Sequence, residues 1–165
     1  MPEKINVVIE IPKGSHNKFE YEEEQDVFKL DRVLYSPMHY PLDYGFIPGT
    51  RSEDGDHLDA LVIGGEPLFT GCVLEVRPVA LFKMIDGGEE DFKVLAVQAR
   101  NPRFAHISCL EDVDSYNNHL TKEISHFFTA YKHLEGKEVQ IVGWEDVEVA
   151  KKEISRAEKM FRDEK

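Results

Sequence analysis

Three aspartates, Asp54, Asp56 and Asp59, stand at positions i, i+2 and i+5 of Ser52-Glu53-Asp54-Gly55-Asp56-His57-Leu58-Asp59, which runs into the apolar Ala60-Leu61-Val62-Ile63. Gly55 tolerates backbone angles that other residues avoid, so the chain can turn sharply there. Such a turn draws Asp54 and Asp56 towards a common point, and Asp59 enters from the mouth of the next strand. Crowded carboxylates repel one another and need cations, and hard oxygen donors select Mg²⁺, Mn²⁺ or Ca²⁺. A calcium EF-hand loop is excluded by position: counting from Asp54, the fifth place is Leu58 and the twelfth is Gly65, where ligands are required. Taken alone, Asp-Gly before an apolar run also reads as an ordinary solvated hairpin turn. The choice between the two readings depends on what accompanies the aspartates.

Several residues of the right chemistry do. Glu10 lies inside the β-branched run Ile5–Ile11, where a carboxylate is costly unless it is paired, metal-bound or turned to water at a sheet edge. Residues 18–22 and 27–34 alternate polar and apolar and read as a hairpin. Lys18 and Arg32 then stand near each other, either as unpaired cations inviting an anion or as two exposed edge charges. Asp86 and Asp91 sit at the ends of two further strands, and Lys93 shares a face with Asp91. A solvated acidic hairpin is the alternative there. Tyr40 and Tyr44 belong to Ser36–Gly49, too rich in Pro and Gly for a regular helix, which reads as an ordered loop able to wall a site. Tyr40 is the better suited of the two to plain packing. Tyr131 and Lys132 come near the end of a helix, from which they can reach inward.

The elements that must position these groups follow from periodicity. Strands are expected over 5–11, 18–22, 27–34, 72–85, 92–97 and 139–144. One helix, capped by Asp114 or Ser115 and stopped by Gly136, is expected to run to about Leu134, burying Ile124, Phe127, Phe128, Tyr131 and Leu134. Asp146 caps a last helix with the stripe Val147, Ala150, Ile154, Ala157 and Phe161, whose charged tail is expected to fray. His119, His126 and His133 recur every seven residues, roughly 10.5 Å apart along a helix, so they cannot share one metal and read as a solvated or subunit-facing stripe. Strands first and two helices last make an α+β, mainly β pattern, with a small closed barrel as its strand-rich part.

At 165 residues the chain reads as one domain, 1–165, with ordinary apolar (41%) and charged (32%) content for a globular protein. Its net charge of −12 opposes nucleic acid and anionic membranes. It also opposes an anionic substrate, unless metals and a local basic cluster reverse the sign at the site. Cys72 and Cys109 are isolated, which argues against a disulfide framework and for a reducing compartment. No apolar run has membrane-spanning length, and the start lacks a signal-peptide pattern, so a cytoplasmic location is expected.

On Val8-Ile9-Glu10-Ile11-Pro12, Lys18-Phe19-Glu20, Asp31-Arg32, Tyr40-Pro41, Tyr44-Gly45, Asp54-Gly55-Asp56…Asp59, Arg77-Pro78-Val79, Asp86…Asp91-Phe92-Lys93, His126-Phe127-Phe128…Tyr131-Lys132 and Gly143-Trp144, the chain resembles the soluble inorganic pyrophosphatases of bacterial and archaeal type. The resemblance covers nearly the full length in family order. It implies an OB-like closed five-stranded β-barrel flanked by two C-terminal helices, Mg²⁺ dependence (with Mn²⁺ as a possible substitute), and hydrolysis of inorganic pyrophosphate to two phosphates by a homohexamer. By position it makes Glu10, Asp54, Asp59, Asp86 and Asp91 metal ligands. Lys18, Arg32, Tyr44 and Tyr131 become phosphate-binding groups, with Lys93 and Lys132 adding charge. Asp56 is the group implied to activate water, with Asp91 as the other candidate. Two residues depart from the family pattern: His57 replaces the usual Pro, and Gly87 stands where many relatives carry an acid. The fold is expected to tolerate the first, while the second weakens one of the looser metal positions.

Two other classes of function are open to such a chain. A non-catalytic acidic barrel binding cations or a basic partner accounts for the carboxylates but not for the Lys, Arg and Tyr beside them. An OB-type nucleic-acid binder is opposed by the charge of −12.

Overall fold

The apolar run Ile5–Ile11 forms β1, and β1 closes a sheet onto itself. The computed structural model describes residues 1–165. After β1 come β2 (Asn17–Glu22), β3 (Val27–Val33), β4 (Asp43–Ile47), β5 (Leu58–Ile63), β6 (Val73–Asp86) and β7 (Glu89–Gln98). They are followed by α1 (Leu110–Tyr116), α2 (Leu120–Ala130), β8 (Val139–Asp146) and α3 (Val147–Asp163). The ring order is β1-β4-β5-β7-β6, and β6 returns to β1 through the register Ile5↔Val76 to Val8↔Val73. The far end of the long β6 pairs instead with β8, from Ala80↔Asp146 to Asp86↔Val139. The result is the expected mainly-β α+β fold around a five-stranded ring. The hairpin of β2 and β3 forms a separate two-stranded sheet.

Alternation along the strands buries both faces of the ring. Leu58, Ala60 and Val62 of β5 join a cluster with Val7, Ile9, Val94 and Ala96, against which α3 lays Ala150, Ile154 and Ala157. Leu61 and Ile63 point the other way, into a cluster with Phe82, Leu95, Phe127 and Phe128 beneath α2. This second face carries the polar residues described below.

Several expectations are corrected. Helices number three rather than two, because the first of the two expected helices is divided; the strand expected over 139–144 is present as β8. The segment 36–49 is not all loop: Asp43–Ile47 is a fully buried strand between β1 and β5, so Tyr44 stands on the ring itself. The long helix expected from a cap at Asp114 or Ser115 is instead two helices: α1 starts earlier, at Leu110, with both of those residues inside it, and α2 follows. Asn117 adopts an extended conformation (φ −153°, ψ 99°), and its side-chain oxygen accepts the His119 N–H at 3.0 Å, a local bond that competes with helix continuation. Gly136, at φ +75°, does stop the short 3₁₀ turn that follows, but Leu134 is 66% exposed and leaves the predicted stripe. At the other end, α3 runs to Asp163, and Arg51 engages Glu164 just beyond it, so the charged tail is tied down.

Gly45 marks the tightest crossing in the ring. A Cβ placed there would lie 1.9 Å from the carbonyl oxygen of Val8 on the paired β1, a backbone atom that cannot swing aside. Gly45→Ala is expected to destabilise the fold by about 3 kcal/mol, the scale of a severe overpacking, read as a fall in the urea midpoint at unchanged m-value.

Candidate active site

The aspartate loop is a closed structure. Buried Thr50 accepts the Leu58 N–H at 2.9 Å on its hydroxyl, fastening the two ends of the segment 51–57. Inside it, Ser52 N–H donates to Asp56 O at 2.7 Å and Gly55 N–H to Ser52 O at 3.0 Å. Asp56 N–H donates to the Asp54 carboxylate at 3.0 Å. Gly55 sits at φ +87°, the left-handed region that glycine enters without penalty. His57 leaves the turn intact. Its ring stacks on Phe46 at 4.9 Å between centroids, and Nδ1 lies 2.9 Å from the Thr50 carbonyl, so Nδ1 carries the proton and donates. Burial, together with the Asp54 and Glu20 carboxylates, raises the Asp56 carboxyl above its ordinary pKa, against the pull of Arg51 and His57.

At the floor of the site, Lys93 is 1% exposed. The parallel pairing of β5 with β7 sets Lys93 opposite Asp59, and the β7 alternation sets Asp91 on the same face. The Lys93 ammonium donates to Tyr44 Oη at 2.8 Å, to Asp59 at 2.9 Å and to Asp91 at 3.1 Å, which uses all three of its protons. It also lies 5.1 Å from the Tyr44 ring centre and 5.0 Å from that of Phe128. Tyr44 in turn donates to Asp59 at 2.7 Å. Burial pushes the Asp59 carboxyl up while Lys93 pulls it down. Burial also raises the Tyr44 and Tyr131 phenols, which therefore stay protonated as donors.

Two irregularities in the sheets aim further groups. The register of β1 on β4 slips between Ile9 and Ile11, making Glu10 the extra residue of a β-bulge. Glu10 is 8% exposed, and its carboxylate accepts the Tyr21 N–H at 2.8 Å. Burial, with the nearby Asp59, raises its pKa from 4.5 to about 8. A second slip lies beside the pair Lys18↔Arg32 and makes Asp31 the extra residue. Asp31 takes both cations, at 3.2 Å from Lys18 and 2.6 Å from Arg32, and Glu135 approaches Arg32 Nε at 2.8 Å. The expected neighbours are thus adjacent but not unpaired.

The turn joining β6 to β7 is the two-residue Gly87-Gly88, both at positive φ (+60° and +84°), as a type I′ hairpin turn requires. That backbone demand suits glycine at positions 87 and 88. Asp86 before the turn is bonded to Lys132, which follows α2.

One cavity of about 710 Å³ is lined by Glu10, Asp54, Asp56, Asp59, Asp86 and Asp91 on one hand and by Lys18, Tyr44, Lys93, Tyr131 and Lys132 on the other. Arg32 alone of the anticipated residues is outside the lining, held back by Asp31 and Glu135. No three acidic, histidine or cysteine side chains are gathered closely enough to enclose an ion. Asp59 and Asp91 share Lys93, and Asp86 is taken by Lys132. The donor set itself, carboxylate oxygens with no thiolate among them, fits hard divalent cations. Tyr40 is buried against Phe127 at 4.8 Å, the packing role anticipated for it. His119, His126 and His133 are all exposed on the single chain, as either a solvated or a subunit-facing stripe requires. The sequence reading missed Arg51, which lines the cavity, and Glu135; neither sits in a periodic or motif context that would have flagged it.

A family model described as inorganic pyrophosphatase matches residues 7–162. The inorganic pyrophosphatase of a Nostoc strain is 48% identical over 98% of this chain and 94% of its own. That of Methanosarcina acetivorans is 53% identical over 88% and 84%, respectively. The crystal structure of inorganic pyrophosphatase from Thermus thermophilus superposes with a TM-score of 0.93 at 44% identity, covering 98% of this chain and 92% of that one. Full-length similarity at this level, on the same ring and helices, places the chain in the inorganic pyrophosphatase family.

Proposed function

We propose that this cavity hydrolyses inorganic pyrophosphate to two orthophosphates with Mg²⁺ as cofactor, Asp56 acting as general base. Family membership carries the coarser part: the chain is an inorganic diphosphatase, acting on pyrophosphate and releasing phosphate. The observation supporting the finer part is that Glu10, Asp54, Asp56, Asp59, Asp86 and Asp91 converge on one cavity with Lys18, Lys93, Lys132, Tyr44 and Tyr131. In this reading Glu10, Asp54, Asp59, Asp86 and Asp91 hold divalent cations, with Mn²⁺ a substitute. When bound, such ions supply charge neutralisation and Lewis acidity.

The chain's own side chains do the rest. A protein of charge −12 repels a polyanion, so cationic and hydrogen-bonding groups must be concentrated where the anion sits. Lys18 and Lys132 line the cavity with ammonium groups, and the Tyr131 phenol offers its proton to phosphoryl oxygens; Tyr44, whose proton goes to Asp59, must redirect it to do the same. Arg32 lends charge from behind Asp31. These donors act best on the leaving phosphate, where negative charge grows in the transition state. Asp56 accepts the proton of the attacking water on its carboxylate, and its raised pKa brings it closer to that of an effective base at neutral pH. Asp91 is the second candidate for this role, although the Lys93 proton it accepts makes it the less free of the two. A single domain, a homohexameric assembly and a cytoplasmic location belong to the same proposal; no helix is long and apolar enough to cross a membrane.

Phosphate release from pyrophosphate, assayed with Mg²⁺, with Mn²⁺ and with EDTA, tests the proposal as a whole. Turnover is expected with either ion and none with the chelator; phosphate release at full rate in EDTA would remove the metals from the reaction. Asp56→Asn is expected to lower kcat by about 10²- to 10⁴-fold, the range for a lost general base, while calorimetry still detects metal binding. Lys18→Ala and Arg32→Ala are each expected to raise KM for pyrophosphate more than they lower kcat.

Glu10 gives a pH test. Its folded-state pKa is raised from 4.5 to about 8, so in that window the native protein retains a proton that the unfolded chain has lost. The sign is therefore that stability falls as pH rises, by up to about 1.4 kcal/mol per unit for one such group. In EDTA, Glu10→Gln is expected to flatten that decline and to raise the melting temperature at pH 8; a mutant less stable than wild type at pH 8 would contradict it.

A further inference from the structure

The loop bearing Asp54 and Asp56 is fastened from outside by α3. Arg51, at the head of the loop, makes most of the contacts. Its Nε lies 3.1 and 3.0 Å from the two carboxylate oxygens of Glu164, just past the end of α3. Its Nη1 donates to the Gly55 carbonyl at 3.1 Å and approaches Glu23, in the turn between β2 and β3, at 3.4 Å. The guanidinium carbon stands 5.3 Å from the centre of the Phe161 ring, and the backbone N–H of Arg51 donates to Ala157 O at 2.9 Å. Neighbouring residues repeat the attachment. Arg156 of α3 donates to Glu53 at 2.6 Å, and the His57 ring lies 6.0 Å from that of Phe161. Positions 51, 53, 55 and 57 are thus all tied down, three of them directly to the far half of α3.

We propose that Arg51 is a positioning residue for pyrophosphate hydrolysis, fixing the Gly55 carbonyl and through it the Asp56 carboxylate, with α3 as the rigid backing. The inference rests on the reading of Asp56 as general base. Gly55 is the residue of the loop with the greatest conformational freedom, and it separates the two aspartates that must converge. A charged donor on its carbonyl is the strongest available restraint at that point. A guanidinium can supply it while facing a carboxylate with one edge, because its donors are held in a planar fork. Its side chain is only 14% exposed, so the pair with Glu164 is partly shielded from solvent screening. Arg51 acts on the reaction through Asp56, and its Nε and Nη1 are committed to protein oxygens rather than to the cavity.

The test is steady-state hydrolysis of pyrophosphate at saturating Mg²⁺ by wild type, R51A, R51K, E164Q and the double variant R51A/E164Q, each checked by circular dichroism and thermal melting. R51A is expected to lower kcat about tenfold, the scale of a slight misplacement of a reacting group, with KM within about twofold of wild type. R51K is expected to restore little, because a single ammonium cannot span Glu164 and Gly55 O together. E164Q is expected to show a smaller loss in the same parameter, and R51A/E164Q to be no worse than R51A, since both changes cut one linkage. An unchanged kcat in R51A overturns the proposal. So does an effect confined to KM, which would make Arg51 a substrate ligand, or losses that multiply in the double variant. Should R51A not fold, E164Q at its exposed position decides, and full kcat in that variant overturns the proposal. Failure of wild type itself to release phosphate defeats the pyrophosphatase reading instead, and the two results cannot be confused.

Discussion

A single ammonium group holds the site together. Lys93 is buried in the wall of the ring, where an unpaired charge would cost several kcal/mol. It is tolerated because Asp59, Asp91 and the Tyr44 hydroxyl take its three protons, and two aromatic faces lie within about 5 Å of it. Each partner comes from a different part of the chain: Tyr44 from β4, Asp59 from β5 and Asp91 from β7 itself. The dependence is mutual. Without the lysine, two carboxylates would stand together in a half-buried place, and removing one member of such a cluster costs about 3–5 kcal/mol. The same polar knot that lets the ring close therefore also brings together the acids of the candidate metal site.

Around that knot, local departures from regular structure do the aiming. A regular β1 would alternate its side chains, and the bulge at Glu10 is what turns this carboxylate towards the cavity between two buried isoleucines. The slip in the β2–β3 hairpin places Asp31 against both Lys18 and Arg32. Gly55 and the pair Gly87-Gly88 supply left-handed turns that no other residue makes so cheaply. Regular elements thus set the distances and irregular ones set the directions. The break between α1 and α2 matters less to the site, since Tyr131 and Lys132 are placed by the far end of α2, packed through Phe127 and Phe128 on the ring.

Charge is arranged with the same economy. The net −12 is concentrated where carboxylates outnumber cations, yet most of the site carboxylates have a named donor: Lys93, Lys132, or backbone N–H groups at Glu10 and Asp54. Glu10 is the exception in kind, because a lone amide cannot offset its burial and its carboxyl holds a proton to about pH 8. A cation or a proton must accompany it, and a divalent metal is the cation proposed for it.

The amino-acid sequence alone was enough to mark the aspartate turn at Gly55, the Lys18–Arg32 hairpin, the shared face of Asp91 and Lys93, the Asp146 cap and the β-rich ring. Each depends on residue type and short spacing, which local backbone geometry converts directly into neighbours. Its periodicity did not disclose that Asp43–Ile47 is a strand, because a strand buried on both faces by the ring does not alternate. Nor did it disclose the helix break at Asn117, where one side-chain hydrogen bond outweighs helical propensity. The bulge at Glu10, the retreat of Arg32 behind Asp31 and Glu135, and the grip of Arg51 on Glu164 were decided only in three dimensions. They join residues as far as 113 positions apart, and contacts at that separation leave no trace in local pattern because they exist only once the ring has closed and the helices have docked on it.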